Sequence, residues 1–201
     1  MHFAKCSRCV GLTLVPMAII CILANALLLF PNLQTRYLLE GHITSEARWA
    51  TGIWASGVLV LVAARVFVSN GSKKGCCGFR VAMICQVIYT CVALCAAGFC
   101  LMTSVKGLLK GPHCLYNGTQ GLVWGTPLQK TNSEQSYLCE PERWASACVE
   151  PQRVVLWNAF LFTVLIVTSG IQAILCTVNI INSLLGMLCG PGFGINKVTP
   201  A

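Results

Sequence analysis

Four apolar runs, Val10–Phe30, Trp49–Ser69, Val81–Val105 and one beginning near Val154, limit what this chain can fold into. Each is long enough to cross a bilayer, which takes about 20 helical residues. Only 10% of the residues are charged, against about a quarter in a soluble domain, and the mean hydropathy is +0.71. A soluble globular domain is thereby excluded. An open sheet in lipid would leave backbone groups without partners, so each run reads as a helix. The expected fold is an all-α integral membrane protein, a four-helix transmembrane bundle within a single domain over residues 1–201. The first run follows Lys5 and Arg8 and contains Ala24-Asn25-Ala26, which mimics a signal-peptidase site. It continues apolar through Leu27–Phe30, so it reads as an uncleaved signal-anchor. The last run carries no charge until Lys197. A helix over all of Val154–Leu188 would be about 50 Å long against a hydrocarbon core of about 30 Å. The expected span is therefore about 154–180, with Asn182-Ser183-Leu184-Leu185-Gly186 emerging into the interface.

Charge placement orients the bundle. The connections 31–48 and 106–153 hold all six acids and seven basic residues. The ends, the middle connection 70–80 and the inner end of the second run hold the other seven basic residues and no acid. The net charge of +8 thus lies almost wholly on one side. Short Lys- and Arg-rich loops stay in the cytosol. Both termini, loop 70–80 and tail 181–201 are expected there, with loop 31–48 and segment 106–153 outside. The excess lies beside membrane ends rather than on a nucleic-acid-binding face, and it suits anionic lipid headgroups.

The 14 cysteines divide by compartment. Cys114, Cys139 and Cys148 fall outside, where disulfides form. A Cys114–Cys148 bond would tie the start of the large outer segment to its end. Closing a loop of about 35 residues contributes roughly 3–4 kcal/mol by chain entropy. Trp124, Tyr137, Leu138 and Trp144 would pack over it. Cys139 is then a free thiol, an alternative partner or an intermolecular link. Cys6, Cys9, Cys76, Cys77 and Cys189 lie at the expected cytosolic membrane borders, the first four near basic residues, the setting of S-acylation. Cys6-x-x-Cys9 with Cys76-Cys77 has the count of a zinc site, but the adjacent pair suits tetrahedral ligation poorly. Six more cysteines lie inside the spans.

Small residues let helices in lipid approach closely. Gly52-x-x-x-Ser56 with Gly57, Ala93-x-x-x-Ala97 with Gly98, and Ser169-x-x-x-Ala173 provide such faces. Asn25, Gln86, Asn158, Gln172 and Asn179 lie at membrane depth and read as interhelical hydrogen-bonding residues. A polar cavity is the sharper alternative, with Asn25 and Gln172 its first candidates. Asn117-Gly118-Thr119 is an accessible N-glycosylation sequon outside, whereas Asn70-Gly71-Ser72 is a cytosolic sequon that should stay bare. Neither a Ser/His/Asp set, a paired intramembrane carboxylate nor a phosphate-binding glycine loop appears in the sequence. No catalytic or metal residue and no cofactor is expected.

A set of short motifs carries a family resemblance. They are Lys5-Cys6-x-Arg8-Cys9, Ala24-Asn25 through Phe30-Pro31-Asn32, and Cys76-Cys77-Gly78. Gly111-Pro112-x-Cys114-Leu115, Trp124-Gly125 and Tyr137-Leu138 follow. Trp144, Cys148-x-Glu150-Pro151, Val154-Val155-x-Trp157-Asn158, Ile171-Gln172 and Leu185-Gly186-x-x-Cys189-Gly190 complete the set. Through these residues the chain resembles the L-six family of four-transmembrane proteins, which share a layout with tetraspanins. It departs from the family pattern at Asn158-Ala159-Phe160, where a second sequon is common, and at Cys139, which replaces an apolar residue.

The resemblance implies a plasma-membrane or endosomal organiser without a catalytic site. Such a protein associates laterally with integrins, receptors or tetraspanins and influences adhesion, migration or growth. A sterol or lipid could occupy the bundle. Two alternatives remain: a small-solute or ion channel or transporter, and a membrane thiol redox enzyme using a Cys-x-x-Cys pair. The amides without a midplane acid argue against the first. The cytosolic position of Cys6 and Cys9 argues against the second.

Overall fold

The computed structural model describes residues 2–69, 76–118, 121–128, 138, 144 and 147–189. Four long helical segments are apolar and long enough to cross a membrane. The first long helix is His2–Leu29. The second is assembled from Thr51–Ile53, a π-helical stretch Trp54–Leu59, and Val60–Ser69. The third is Cys76–Lys110 and the fourth Val154–Cys189. Two short helices, Arg36–Leu39 and Ser45–Arg48, lie between the first two. An antiparallel hairpin, β1 Cys114–Gly118 with β2 Gly121–Gly125, lies between the last two.

The fourth helix continues past Ile180 to Cys189, and Ser183 is fully buried against the protein. Asn179 and Ser183, one turn apart, both meet Gln86 of the third helix.

Lipid tails are as apolar as leucine, so association rests on close packing and hydrogen bonds. One apolar core joins Leu14 and Ala18 of the first helix to Val60, Ala63, Ala64 and Phe67 of the second, with Ala93 and Cys176. Another joins Cys21, Ala24 and Leu28 to Cys100, Leu161, Phe162 and Leu165. The expected small-residue faces are partly realised. Gly52 sits against the first helix, where an added Cβ would lie 2.7 Å from Asn25 Cβ and 2.9 Å from the Cys21 carbonyl oxygen. Gly57 faces the Ile22 side chain. Ala93 and Ala97 are fully buried, but Gly98 has nothing within 4 Å of an added Cβ. A contact that the spacing did not flag is Gly107, whose added Cβ would lie 2.5 Å from Phe162 Cζ.

Pro31 ends the first helix and creates a vacancy. The Leu27 carbonyl would accept from residue 31, but proline has no N–H. The Trp157 indole fills it, donating to the Leu27 carbonyl at 3.0 Å alongside a longer bond from the Phe30 N–H at 3.3 Å. The start of the fourth helix is thereby pinned to the end of the first. Trp157→Phe keeps an aromatic ring, though a smaller one, and removes the donor. It is expected to cost about 1–2 kcal/mol, read as a lower unfolding temperature in detergent. An unchanged midpoint would show that this bond adds nothing.

Candidate functional site

Two polar brackets lock the bundle. In the first, the Ser56 hydroxyl donates to Gln172 Oε1, and Gln172 Nε2 donates back to the Ser56 carbonyl at 3.1 Å. The pair thus joins the second and fourth helices reciprocally. Thr168 spends its proton on the Val164 carbonyl at 2.6 Å, so the Cys21 thiol is the donor in the 3.1 Å contact between Cys21 and Thr168. Cys21 Sγ also lies 3.3 Å from Ser56 Oγ, which brings the first helix into the bracket.

In the second bracket Gln86 Nε2 lies 2.5 Å from Ser7 Oγ, 3.0 Å from Ser183 Oγ and 3.2 Å from Asn179 Oδ1. Its two N–H groups are shared among three acceptors on the first and fourth helices. Asn179 Nδ2 donates to Thr90 Oγ1 at 3.0 Å, and that hydroxyl donates to the Gln86 carbonyl at 2.6 Å. Gln86, Gln172 and Asn179 therefore bond between helices. Asn158 does not. It is buried, but its amide donates to the Val154 carbonyl of its own helix at 3.1 Å. A carbonyl four residues back competes with a partner on another helix whenever the amide lies near it. Asn25 is buried beside Gly52, and its Oδ1 has no partner among the described residues. Ser7, Thr90, Cys21 and Thr168 were not anticipated as participants. The four-residue spacings Gln86/Thr90 and Asn179/Ser183 were the available signal.

The hairpin end is braced from three directions. Cys114 and Cys148 form a disulfide, with Leu138, Trp144, Val154 and Val155 packed around it. The Leu115 N–H donates to the Glu150 carbonyl at 2.9 Å and the Val149 N–H to the Leu115 carbonyl at 2.8 Å, so 149–150 lies along the open edge of β1. From the connection after the first helix, the Tyr37 hydroxyl donates to Glu150 at 3.2 Å. The His42 ring stacks on Trp124 with centroids 3.8 Å apart and planes 5° from parallel. Trp124 was expected over the disulfide; it packs instead on His42, His113 and Tyr37. His42 Nδ1 lies 3.3 Å from Glu40 Oε2, near enough for an ion pair when protonated but misaligned for a hydrogen bond.

Asn117 is exposed on β1, paired in register with Leu122. Cys6 and Cys9 are exposed on the first helix. Cys76 and Cys77 open the third helix, and Cys189 closes the fourth. Cys139, Tyr137 and the Asn70 sequon lie outside the described residues. Among the described residues no group of three or more His, Cys, Asp or Glu is placed to hold a metal.

Charges at this end follow their neighbours. The Arg36 hydrogen bond at 2.8 Å holds Glu40 below its ordinary value. Burial would raise Glu46, but bonds from Ser45, its own backbone and Lys110 outweigh it and the carboxyl is lowered. Burial, then the nearby Glu150, raises Tyr37. Burial chiefly, then the charges of His42 and Lys110, lowers His113 below its usual 6.5. The folded state thus binds the His113 proton less readily than the unfolded chain. Its contribution is present above about pH 6.5 and is lost as pH falls through the lowered value. Glu40 acts in the same direction only in the carboxylate range. Proteolysis of the hairpin end is expected to accelerate between pH 7.5 and 5.5, and His113→Asn to flatten that step. A full-size step in the variant would assign it elsewhere.

Four apolar helices, internal polar brackets and a disulfide-tied segment between the last two helices define a four-span integral membrane protein. The profile of the L6 membrane protein family matches residues 1–192. Human Transmembrane 4 L6 family member 1 is 38% identical over 197 residues, covering 94% of this chain and 95% of that protein. Bovine Transmembrane 4 L6 family member 5 is 40% identical over 195 residues, with the same coverage of 94% and 95%. Mouse Transmembrane 4 L6 family member 4 is 39% identical over 193 residues, covering 92% and 91%. The chain belongs to the L6 family of membrane proteins. No solved structure matches it significantly.

Proposed function

We infer that the protein is a non-catalytic plasma-membrane scaffold that associates laterally with integrins, receptors or tetraspanins and tunes adhesion, migration or growth. One observation carries this reading. The braced hairpin end presents large apolar side chains, with Leu122 60%, Val149 52% and Val123 46% exposed. Exposed apolar groups held on a rigid support mark interaction surfaces. The buried amides Gln86, Gln172 and Asn179 are engaged by helix partners, which favours a packed bundle over a conducting path.

In this reading segment 106–153 faces the exterior and Asn117 carries a glycan. Both termini are cytosolic. Acyl chains on Cys6, Cys9, Cys76, Cys77 and Cys189 bias the protein toward ordered membrane regions. Hydroxylamine-sensitive label on the wild type, lost when all five are replaced by serine, is the expected result. Unchanged membrane partitioning in that variant would remove acylation from the account.

The scaffold itself is tested by exchanging 106–153 for the segment of another four-span protein. Copurifying proteins are then quantified from a mild detergent extract. Adhesion receptors or tetraspanins enriched with the wild type and depleted on exchange are expected. A wild-type preparation without such proteins contradicts the reading and turns attention to solute flux.

A further inference from the structure

We propose that the cavity of about 210 Å³ at the hairpin end binds a small oxyanion of the phosphate or phosphate-ester class. It lies where the short helix Ser45–Arg48, the end of the third long helix and the chain entering the hairpin meet. Thr44, Ser45, Arg48, Lys110 and His113 line it beside apolar Ile43, and no carboxylate is among its described lining residues, the near neighbour Glu46 standing behind Ser45 and Lys110. A lining of donors without an acid is the complement of an anion.

Counting protons shows which donors remain. Ser45 spends its hydroxyl proton on Glu46 at 2.8 Å and accepts from Lys110 Nζ at 2.9 Å. Lys110 also meets Glu46 at 3.3 Å, which leaves one of its three N–H groups. Arg48 makes no ion pair among the described residues, so its guanidinium fork is open. Thr44 is only 5% exposed, yet its hydroxyl has no partner among the described residues. A buried hydroxyl without a partner carries a desolvation penalty that an incoming acceptor would relieve. A tetrahedral oxyanion offers acceptors on several sides. It can take the Arg48 fork, the remaining Lys110 proton, the Thr44 hydroxyl and a ring N–H of His113. The cavity is several times the roughly 30 Å³ that one water occupies in the liquid, so it admits a whole phosphate group.

Two sources share this chemistry. Lys110 closes a membrane-spanning helix, so the phosphate of a lipid headgroup lies within reach. A soluble phosphate is the other source. The site is independent of the lateral-binding surface proposed above.

The test uses the purified full chain in a phosphate-free maltoside detergent, followed by thermal unfolding. One arm titrates inorganic phosphate at ionic strength matched with sodium chloride. The other adds dioctanoyl phosphatidic acid, with dioctanoylglycerol as the phosphate-free control. A phosphate-dependent rise in unfolding temperature in either arm is expected, and the responding arm identifies the source. Thr44→Val and Arg48→Gln should each weaken the response about tenfold or more, the worth of one hydrogen bond to a charged group. Without ligand, Thr44→Val should unfold at the same or a higher temperature, because it removes an unpartnered hydroxyl and keeps the shape. The proposal is overturned by a wild type silent in both arms or by an undiminished response in both variants. A Thr44→Val protein destabilised without ligand overturns it too, since that hydroxyl would then serve the fold.

Discussion

Gly52→Ala is expected to lower the unfolding temperature markedly, while Gly98→Ala leaves it unchanged or raises it. Both substitutions add the same methyl group to a long apolar helix. At Gly52 the new carbon would sit 2.9 Å from the Cys21 carbonyl oxygen, 2.7 Å from Asn25 Cβ and 2.9 Å from a Leu165 methyl. Two of those neighbours, a carbonyl and a Cβ, are tied to the first helix's backbone and cannot rotate away. The first and second helices must separate, or the π-helical stretch must shift. Either movement stretches the Ser56–Gln172 bracket one turn along. Overpacking of this kind costs about 1–3 kcal/mol, and a weakened buried hydrogen bond adds about 1 kcal/mol. At Gly98 nothing lies within 4 Å, and alanine gains up to about 1 kcal/mol of helix propensity. Opposite signs for one chemical change would locate the closest approach in the bundle. Equal effects would place it elsewhere.

Replacing Cys114 and Cys148 together by serine is expected to have an effect of similar or larger size, concentrated at the hairpin end. The two residues are 34 apart in sequence, and their link is worth roughly 3–4 kcal/mol by chain entropy. Freed from Cys148, the 149–150 backbone can leave the edge of β1, and Glu150 then leaves Tyr37. The apolar cluster of Leu138, Trp144, Val154 and Val155 would gain access to water. Limited proteolysis should therefore cut between residues 106 and 153 far faster, while the four long helices stay protected. Equal cleavage of wild type and variant would show that the hairpin end is held by its noncovalent contacts alone.

The helices were legible because an apolar run in lipid has one economical backbone solution, and the runs here are long and separate. The disulfide was legible because only Cys114, Cys139 and Cys148 fall in the large connection, and the bond forms between the first and last of them. Gln86, Gln172 and Asn179 declared themselves as amides in apolar runs. What stayed hidden depends on which side chains meet across the chain. Asn158 has the same composition signal as Gln172, yet its amide N–H donates within its own helix. The meeting of Ser183 with Gln86 is contained in no count of hydrophobic residues. The stack of His42 on Trp124 joins two connections that share no local pattern. The π-helical turn at Trp54–Leu59 follows Ala50, whose φ of 50° is left-handed without glycine, and neither has a sequence signature.

The scaffold reading depends on which end of the bundle faces out. Peptide mapping of glycans on the protein purified from mammalian cells tests that most directly. Asn117, exposed on β1, is predicted to carry a glycan, and Asn70 is predicted to be bare. A glycan on Asn70 with Asn117 bare would invert the bundle. The 106–153 segment would then lie in the cytosol, and a scaffold recognising adhesion partners from outside the cell would be contradicted.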